Sequence, residues 1–180
     1  MPETSPRPVP SGEASSAAHA EALCLADVVA AAGRPDVLAA MRTFFEDVDR
    51  RINALPGTCW NRGLCCRFGE YGHRLFVTAL EVCYYLACGP APRGISADSC
   101  PHAHGGICHA RDRRPLGCRI FFCDPAAQEW QGPLTEDLLA RLRALHVELD
   151  VPYFYADWMA VLRALDAHLA ATGEVPAPSA

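Results

Sequence analysis

Seven cysteines in two short pieces of the sequence constrain this chain more than any other feature. The pieces read CWNRGLCC and SCPHAHGGICHARDRRPLGCRIFFC, and together they hold seven of the chain's ten cysteines. These are Cys59, Cys65, Cys66, Cys100, Cys108, Cys118 and Cys123. Structural cysteines behave as small apolar residues and stand singly on apolar faces, whereas these stand in stretches rich in glycine, proline and arginine. The pattern predicts metal ligands rather than packing residues.

Clustered cysteines also form disulfide frameworks, so the compartment of the protein matters. The first 20 residues lack the basic start and apolar core of a secretory signal. No stretch approaches the roughly 18 unbroken apolar residues that a membrane span requires. We therefore expect a cytoplasmic protein with no membrane partner, whose reduced thiols are free to bind metal.

The composition predicts one folded domain with a substantial core. The chain has 180 residues, of which 51% are hydrophobic and 21% charged, and its formal net charge of −5 gives no reason to expect a nucleic-acid partner. Residues 1–20 are rich in Pro, Ser, Ala and Glu, which predicts a disordered tail. We expect a single helical domain over residues 21–172 and a second disordered tail over residues 173–180.

Apolar residues recur at helical spacing along most of that domain, which predicts a mainly α fold. The expected helices span about residues 35–55, 79–88, 134–149 and 153–170. A shorter helix is expected before Gly33. Strand-like alternation is confined to short pieces such as RLFVT and RIFF. The expected fold is a small helical domain wrapped around an irregular, cysteine-rich metal-binding segment at residues 59–123.

Two details of the helices bear on the cysteines. Thr78 and Glu81 have the spacing of a capping box at a helix start, which explains the glutamate without a catalytic role. Cys24 and Cys83 fall within helical patterns, so we expect both to be packing residues. The sequence leaves open whether Cys88 is a packing residue or a ligand.

Residues 89–131 read as one long irregular segment, which is unusual inside a compact domain. Its cysteines follow the spacing C-x7-C-x9-C-x4-C, so a shared metal would close each intervening loop onto one point. Metal-binding free energies on the order of 10 kcal/mol in structural sites then contribute to folding. We expect the segment to be loose without metal.

The two cysteine pieces resemble the YkgJ-like "CxxCxxCC" cysteine-cluster family, whose members are described as zinc- or iron-chelating proteins. The matching residues are Cys59, Gly63, Cys65, Cys66, Cys100, Pro101, Cys108, Arg114, Pro115, Cys118 and Arg119. The resemblance covers about residues 59–123 and implies that the cysteines ligate a metal ion or an iron–sulfur cluster. Arg62 stands where the family has its second cysteine, and the hypothesis follows that Cys123 replaces the missing thiolate.

The sequence leaves the identity of the metal open. A pair of the C-x2-C or C-x-H elements typical of structural zinc is absent, and so are the ferredoxin runs, although iron–sulfur clusters tolerate irregular spacings. Seven loop thiols exceed the four that one site needs, and we slightly favour an iron–sulfur cluster over zinc. His102, His104 and His109 are weaker candidate ligands. The basic run RDRR at residues 111–114 is interpreted as a counterweight to thiolate charge rather than a nucleic-acid patch.

Three classes of function remain open at this stage. The first is a metalloprotein acting in electron transfer, redox sensing or metal handling, which would need a protein redox partner. The second is a structural zinc module whose helices bind a partner. The third is a cluster-containing enzyme, because the flagellin lysine methylase family is thought to share a similar cysteine signature. No nucleotide loop or Ser-His-Asp arrangement is legible in the chain.

Overall fold

Helices dominate the computed structural model, which describes residues 23–95 and 99–173. Of these residues, 61% are helical and 7% lie in strands, so the predicted mainly α class is confirmed. The α-helices are α1 (Leu25–Ala32), α2 (Pro35–Asn53), α3 (Phe68–Tyr71), α4 (Ala79–Ala87), α5 (Leu116–Ile120), α6 (Gln128–Glu148) and α7 (Trp158–Thr172). The tail predicted at residues 1–20, and all but Gly173 of the tail predicted at residues 173–180, lie outside the described residues.

Helix α4 lies at the centre of the hydrophobic core. Both α1 and α2 pack against it, and every residue of α4 except Tyr84 is buried. The core also takes in α6 and α7, with Met41, Leu80 and Leu162 fully enclosed. Packing of these apolar faces supplies most of the stability of helices in a protein of this kind.

Several predicted details of this core are confirmed. Helix α2 begins at Pro35, as predicted, because proline suits the first helical position. The capping box at the start of α4 is present, and Glu81 Oε2 accepts the Thr78 N–H at 2.7 Å. Cys83 is a buried packing residue whose thiol donates to the Val28 carbonyl at 3.4 Å. Cys24 is exposed, contrary to prediction, because it precedes α1 in a left-handed conformation with φ of 46°.

Two predicted helix starts are wrong. Helix α6 begins six residues before the predicted 134 because a 3-10 turn at Pro125–Ala127, capped by Asp124, leads directly into it. Pro133 lies inside this helix. Helix α7 begins at Trp158 instead of 153 because the preceding residues form a strand. Asp157 caps α7 by accepting the Ala160 N–H at 3.0 Å.

That strand, β4 (Tyr155–Asp157), pairs antiparallel with β1 (Phe76–Thr78), which confirms the strand signal in RLFVT. The strand signal in RIFF is wrong, because Arg119 and Ile120 belong to helix α5. A small hairpin joins β2 (Ala103–His104) to β3 (Ile107–Cys108). No helix among the described residues is long and apolar enough to cross a membrane.

Candidate metal centre

Six of the seven predicted ligand cysteines line one small cavity of about 40 Å³. They are Cys59, Cys65, Cys66, Cys108, Cys118 and Cys123. Cys100 is adjacent, since its backbone N–H donates to the Cys66 carbonyl at 2.8 Å and its sulfur interacts with the Cys66 thiol. The structure therefore brings together all seven residues that the sequence singled out, from a stretch of chain 65 residues long (59–123).

A contact between two glycines joins the two cysteine pieces. Gly63 has a φ of +67°, and a Cβ atom on it would lie 2.8 Å from the carbonyl oxygen of Gly106. Only glycine fits there, because a side chain would strain the backbone and collide with the facing chain. This close approach places the turn before Cys65 directly against the β2–β3 hairpin that carries Cys108.

Cys65 and Cys66 both face the cavity although they are adjacent in sequence. The residues Leu64–Cys66 form one turn of 3-10 helix, closed by a hydrogen bond from the Cys66 N–H to the Gly63 carbonyl at 3.1 Å. Successive side chains in such a turn are about 120° apart, so one cavity can touch both.

The β2–β3 hairpin positions Cys100 and Cys108. Its turn is made by Gly105 and Gly106, both with positive φ, which is the geometry that two-residue hairpins favour. The sulfur of Cys108 accepts a hydrogen bond from the Ala110 N–H, and that of Cys100 accepts one from the His102 N–H. In each case the donor lies two residues after the cysteine. Backbone N–H groups aimed at sulfur favour the thiolate form.

Helix α5 brings Cys118 to the cavity and is anchored at both ends. At its start, the Leu116 N–H donates to Glu81 Oε1 at 2.7 Å, so one buried carboxylate caps both α4 and α5. A Cβ at Gly117 would lie 2.5 Å from Leu75 Cδ1, so a larger residue there would have to displace the end of the leucine side chain. The short helix is thus held against the core by a hydrogen bond and a tight van der Waals contact.

Arg119 braces the chain around α5 from its other side. Its guanidinium donates to the Arg114 carbonyl at 2.9 Å, the Asp112 carbonyl at 2.6 Å and the Asp49 carboxylate at 2.7 Å. The same group lies 4.2 Å from the centre of the Phe45 ring. Arginine suits this buried position because its planar fork satisfies several acceptors at once.

The thiols influence one another strongly. Hydrogen bonds with Cys100, Cys108 and Cys65 raise the pKa of the Cys66 thiol, which keeps its proton and donates to its neighbours. The same interaction lowers the pKa of Cys65 and of Cys108 to about 6, and that of Cys100 is lowered as well. Cys65, Cys100 and Cys108 therefore favour the thiolate form more than an isolated cysteine does, whereas burial raises the pKa of Cys118.

Arginines at the rim add positive charge beside the thiolates. Arg114 lowers the pKa of both Cys65 and Cys108, and Arg111 further lowers that of Cys108. This agrees with the interpretation of the basic run as a counterweight. Arg113 differs, because its guanidinium is buried against the Tyr85 ring and donates to the Pro90 carbonyl at 2.8 Å.

Cys59, Cys123 and Arg62 all line the cavity. Burial and the nearby charges of Cys65 and Cys59 raise the pKa of Cys123, while Arg62 lowers it. The Arg62 guanidinium stacks 4.5 Å from the centre of the Trp60 ring. Cys123 therefore shares the cavity with Cys59 and lies within electrostatic reach of Arg62, the position whose cysteine it is hypothesised to replace.

None of the three candidate histidines lines the cavity. His102 is bonded to the Tyr85 hydroxyl at 2.8 Å, and burial lowers its pKa to about 4. The His104 and His109 rings lie 5.7 Å apart on exposed residues. The sequence missed one contributor, Trp158, whose side chain hydrogen bonds to the Cys100 sulfur. Its place on a helical apolar stripe indicated only core packing.

Within residues 23–95 and 99–173, no group of three or more His, Cys, Asp or Glu side chains is positioned to hold a metal ion. The cysteines share a cavity and interact through their sulfurs, but they do not form a complete coordination shell. No protein-family model, curated protein or solved structure matches the chain. The site must therefore be interpreted from its own geometry.

Proposed function

We propose that the cysteine cavity binds an iron–sulfur cluster or a zinc ion through thiolates, with the iron–sulfur cluster preferred. The protein would then act in electron transfer, redox sensing or metal handling. One observation carries the proposal: six thiols line a cavity of about 40 Å³ and a seventh contacts one of them. Reduced cysteines gathered from distant positions are the usual ligands of both kinds of centre.

The inner thiols Cys65, Cys66, Cys100 and Cys108 form the best candidate ligand set. Cys66 interacts with each of the other three, so the four sulfurs are grouped around it. Ligation of one zinc ion at about 2.3 Å requires sulfurs roughly 4 Å apart, which side-chain rotation toward a common centre would achieve. The free energy of metal binding would drive that rotation, since it adds directly to folding free energy.

The number of thiols exceeds what either kind of centre needs. Four ligands satisfy either centre, and Cys118, Cys59 and Cys123 remain around the same cavity. One cluster with spare thiols, or two sites, would account for the number. When bound, an iron–sulfur cluster supplies an electron-transfer couple. The protein's own contribution is the set of N–H groups and arginines that stabilise negative charge at the sulfurs.

The resemblance to YkgJ-like cysteine-cluster proteins supports the same proposal. Its glycine and arginine positions have definite roles in this fold: Gly63 contacts Gly106, and Arg119 holds the chain around Cys118. A structural zinc module is the second candidate. It is favoured by the small cavity volume, which suits one ion, and by the way the cysteines tie a turn, a hairpin and a short helix together.

Anaerobic purification followed by absorption spectroscopy and metal analysis tests the proposal. We expect a brown protein that absorbs broadly at roughly 400 nm and contains iron and acid-labile sulfide. A colourless protein with stoichiometric zinc would favour the structural module instead. A protein that binds neither metal, even after anaerobic reconstitution with iron and sulfide or with zinc, would contradict both candidates.

A further inference from the structure

We propose that an apolar cleft beside the cysteine cavity binds a flat aromatic small molecule of one or two fused rings that carries a hydrogen-bond donor. The cleft has a volume of about 490 Å³, within the range of roughly 300 to 1,000 Å³ that small-ligand sites occupy. Leu116, Ile120 and Leu139 line it. This inference goes beyond the proposed function and does not depend on the metal.

Aromatic rings form the walls of the cleft. Phe76 and Tyr155, on the paired strands β1 and β4, stack with centroids 5.4 Å apart although they are 39% and 46% exposed. His73 and Phe121 form a second, nearly parallel pair at 6.5 Å, and Phe121 is 51% exposed. All four rings line the same cleft. Exposed apolar groups concentrated at one concavity mark a binding site more often than scattered ones do.

The polar groups of the cleft include three acceptors, which set the chemistry of the ligand. Gln131 commits one N–H of its side-chain amide to the Phe122 carbonyl at 3.1 Å, which leaves its side-chain oxygen as an acceptor and its second N–H as a donor. The Thr135 hydroxyl donates to the Gln131 carbonyl at 2.7 Å and likewise keeps acceptor capacity. Glu136 adds a carboxylate and Arg74 one cationic donor. A phenol or an aromatic N–H compound would match this set.

Glu81 also borders the cleft, but it does not act on a ligand. Both of its carboxylate oxygens already accept backbone N–H groups at 2.7 Å, from Thr78 and Leu116. Cys65 and Cys118, in contrast, border both the cleft and the cysteine cavity. A ligand in the cleft would therefore lie next to two sulfurs of the candidate metal centre.

Isothermal titration of the purified protein with 2-naphthol tests the inference. We expect saturable one-to-one binding with a Kd on the order of 0.1 mM, reasonable for a ligand of this size. Decahydro-2-naphthol, which has the same skeleton and hydroxyl but is not flat, should bind at least about tenfold more weakly because it cannot stack. 2-Methoxynaphthalene, which lacks the donor, should also bind more weakly.

Two variants locate the binding. Gly132 borders the cleft and a Cβ there would meet nothing within 4 Å, so Gly132→Leu should fill the space and weaken 2-naphthol binding by about tenfold or more. Gly132 precedes Pro133, so the melting temperature of the Gly132→Leu variant is measured as a check on its folding. Tyr155→Ser serves as the second variant. Tyr153→Ser is the matched control, since Tyr153 is 44% exposed but does not line the cleft.

The inference is overturned by an absence of saturable binding, or by binding that both cleft variants leave unchanged. It is also overturned by a concentration-dependent dimer that Tyr155→Ser abolishes, because a second copy would then cover the cleft. Metal content is measured in the same samples. Protein without metal that still binds 2-naphthol would separate this inference from the metal proposal.

Discussion

The helical core and the cysteine segment of this protein are held together in different ways. In the core, long helices bury whole apolar faces, and residues such as Met41 and Leu162 are completely enclosed. In the cysteine segment, a few residues hold the short turns. Gly63 contacts Gly106, and the Arg119 guanidinium donates hydrogen bonds to three acceptors. Burial in the core is distributed over many residues, whereas the cysteine segment depends on a few specific ones.

This difference indicates that the two regions respond to different perturbations. Hydrophobic burial contributes stability in proportion to area, whether or not a ligand is present. A segment joined by single contacts needs a further cross-link, and a metal held by its thiols would supply one. The predictions below test this separation, in order of their expected effect on the free energy of unfolding.

The largest effect is expected from a cavity in the core. Leu162→Ala should lower the free energy of unfolding by about 2 to 5 kcal/mol, because Leu162 is fully buried and its neighbours can collapse only partly. Urea denaturation with and without a chelator measures the loss. We expect the same loss in both conditions, and Val147→Ala, at an 84% exposed position, should stay within about 0.5 kcal/mol of the parent. A loss that disappears on chelation would show that the regions are not separate.

Breaking the contact between Gly63 and Gly106 should lower the free energy of unfolding less than the core cavity does, but it should release much of the metal. Gly63→Ala adds a Cβ 2.8 Å from the Gly106 carbonyl oxygen at a positive φ, so we expect a cost of about 1 to 3 kcal/mol and a much lower metal content. Gly72→Ala is the matched control, because Gly72 has a φ of +65° but open space around it. It should cost about 1 kcal/mol and retain the metal. Equal metal contents in the two variants would contradict the role given to this contact.

The sequence predicted the core better than the cysteine segment for a physical reason. Helix α2 and the capped start of α4 follow from apolar spacing and local hydrogen bonds, which a sequence pattern contains. The start of α7 does not, because Tyr155–Asp157 are drawn into a strand by residues about 80 positions earlier in the chain. Pairing of that kind is decided by tertiary contacts.

At the candidate site, the sequence identified the cysteines but not what positions them. Shared ligation of a metal would require the thiols to lie together, and six of the seven line one cavity. The double capping by Glu81 could not be predicted, because a capping box accounts for only one of its two oxygens. The hydrogen bond from Trp158 to Cys100 was equally hidden, since an indole on an apolar stripe reads as core.

The third prediction compares the reactivity of one cysteine from each region in the metal-free protein. The effect on the free energy of unfolding is expected to be small. Interaction with Cys66 lowers the pKa of Cys108 to about 6, while burial raises the pKa of Cys83 to about 12. Alkylation of Cys108 by iodoacetamide, followed by mass spectrometry, should therefore rise with an inflection at about pH 6 and stay high above it. Cys83 should remain unmodified at pH 8.

The lowered pKa of Cys108 also makes the free energy of unfolding depend on pH. A thiol with a lowered pKa in the folded state stabilises the fold most above its unfolded pKa of 9.0, and that contribution is lost as the pH falls toward about 6. Cys66, whose pKa is raised, acts in the opposite direction, so we expect the net change to be small. Alkylation of Cys108 that begins only near pH 9 would contradict the interaction among the sulfurs.

The smallest effect on stability is expected at Cys123, where the question is ligation. Cys123 is exposed yet lines the cavity with Cys59 and Cys118, so Cys123→Ser should change the free energy of unfolding of the metal-free protein by less than about 0.5 kcal/mol. If Cys123 replaces the cysteine absent at Arg62, the same variant should lose as much metal as Cys118→Ser, measured by elemental analysis after identical purification.

Two controls separate ligation from general damage to the fold. Cys24→Ser changes an exposed thiol outside the cavity, and Cys83→Ser changes a buried thiol of the core, so both should retain nearly all of the metal. Full metal occupancy in Cys123→Ser, together with loss in Cys118→Ser, would mean that Cys123 only borders the cavity. Cys118 would then hold the centre together with thiols of the inner set Cys65, Cys66, Cys100 and Cys108, which interact around Cys66.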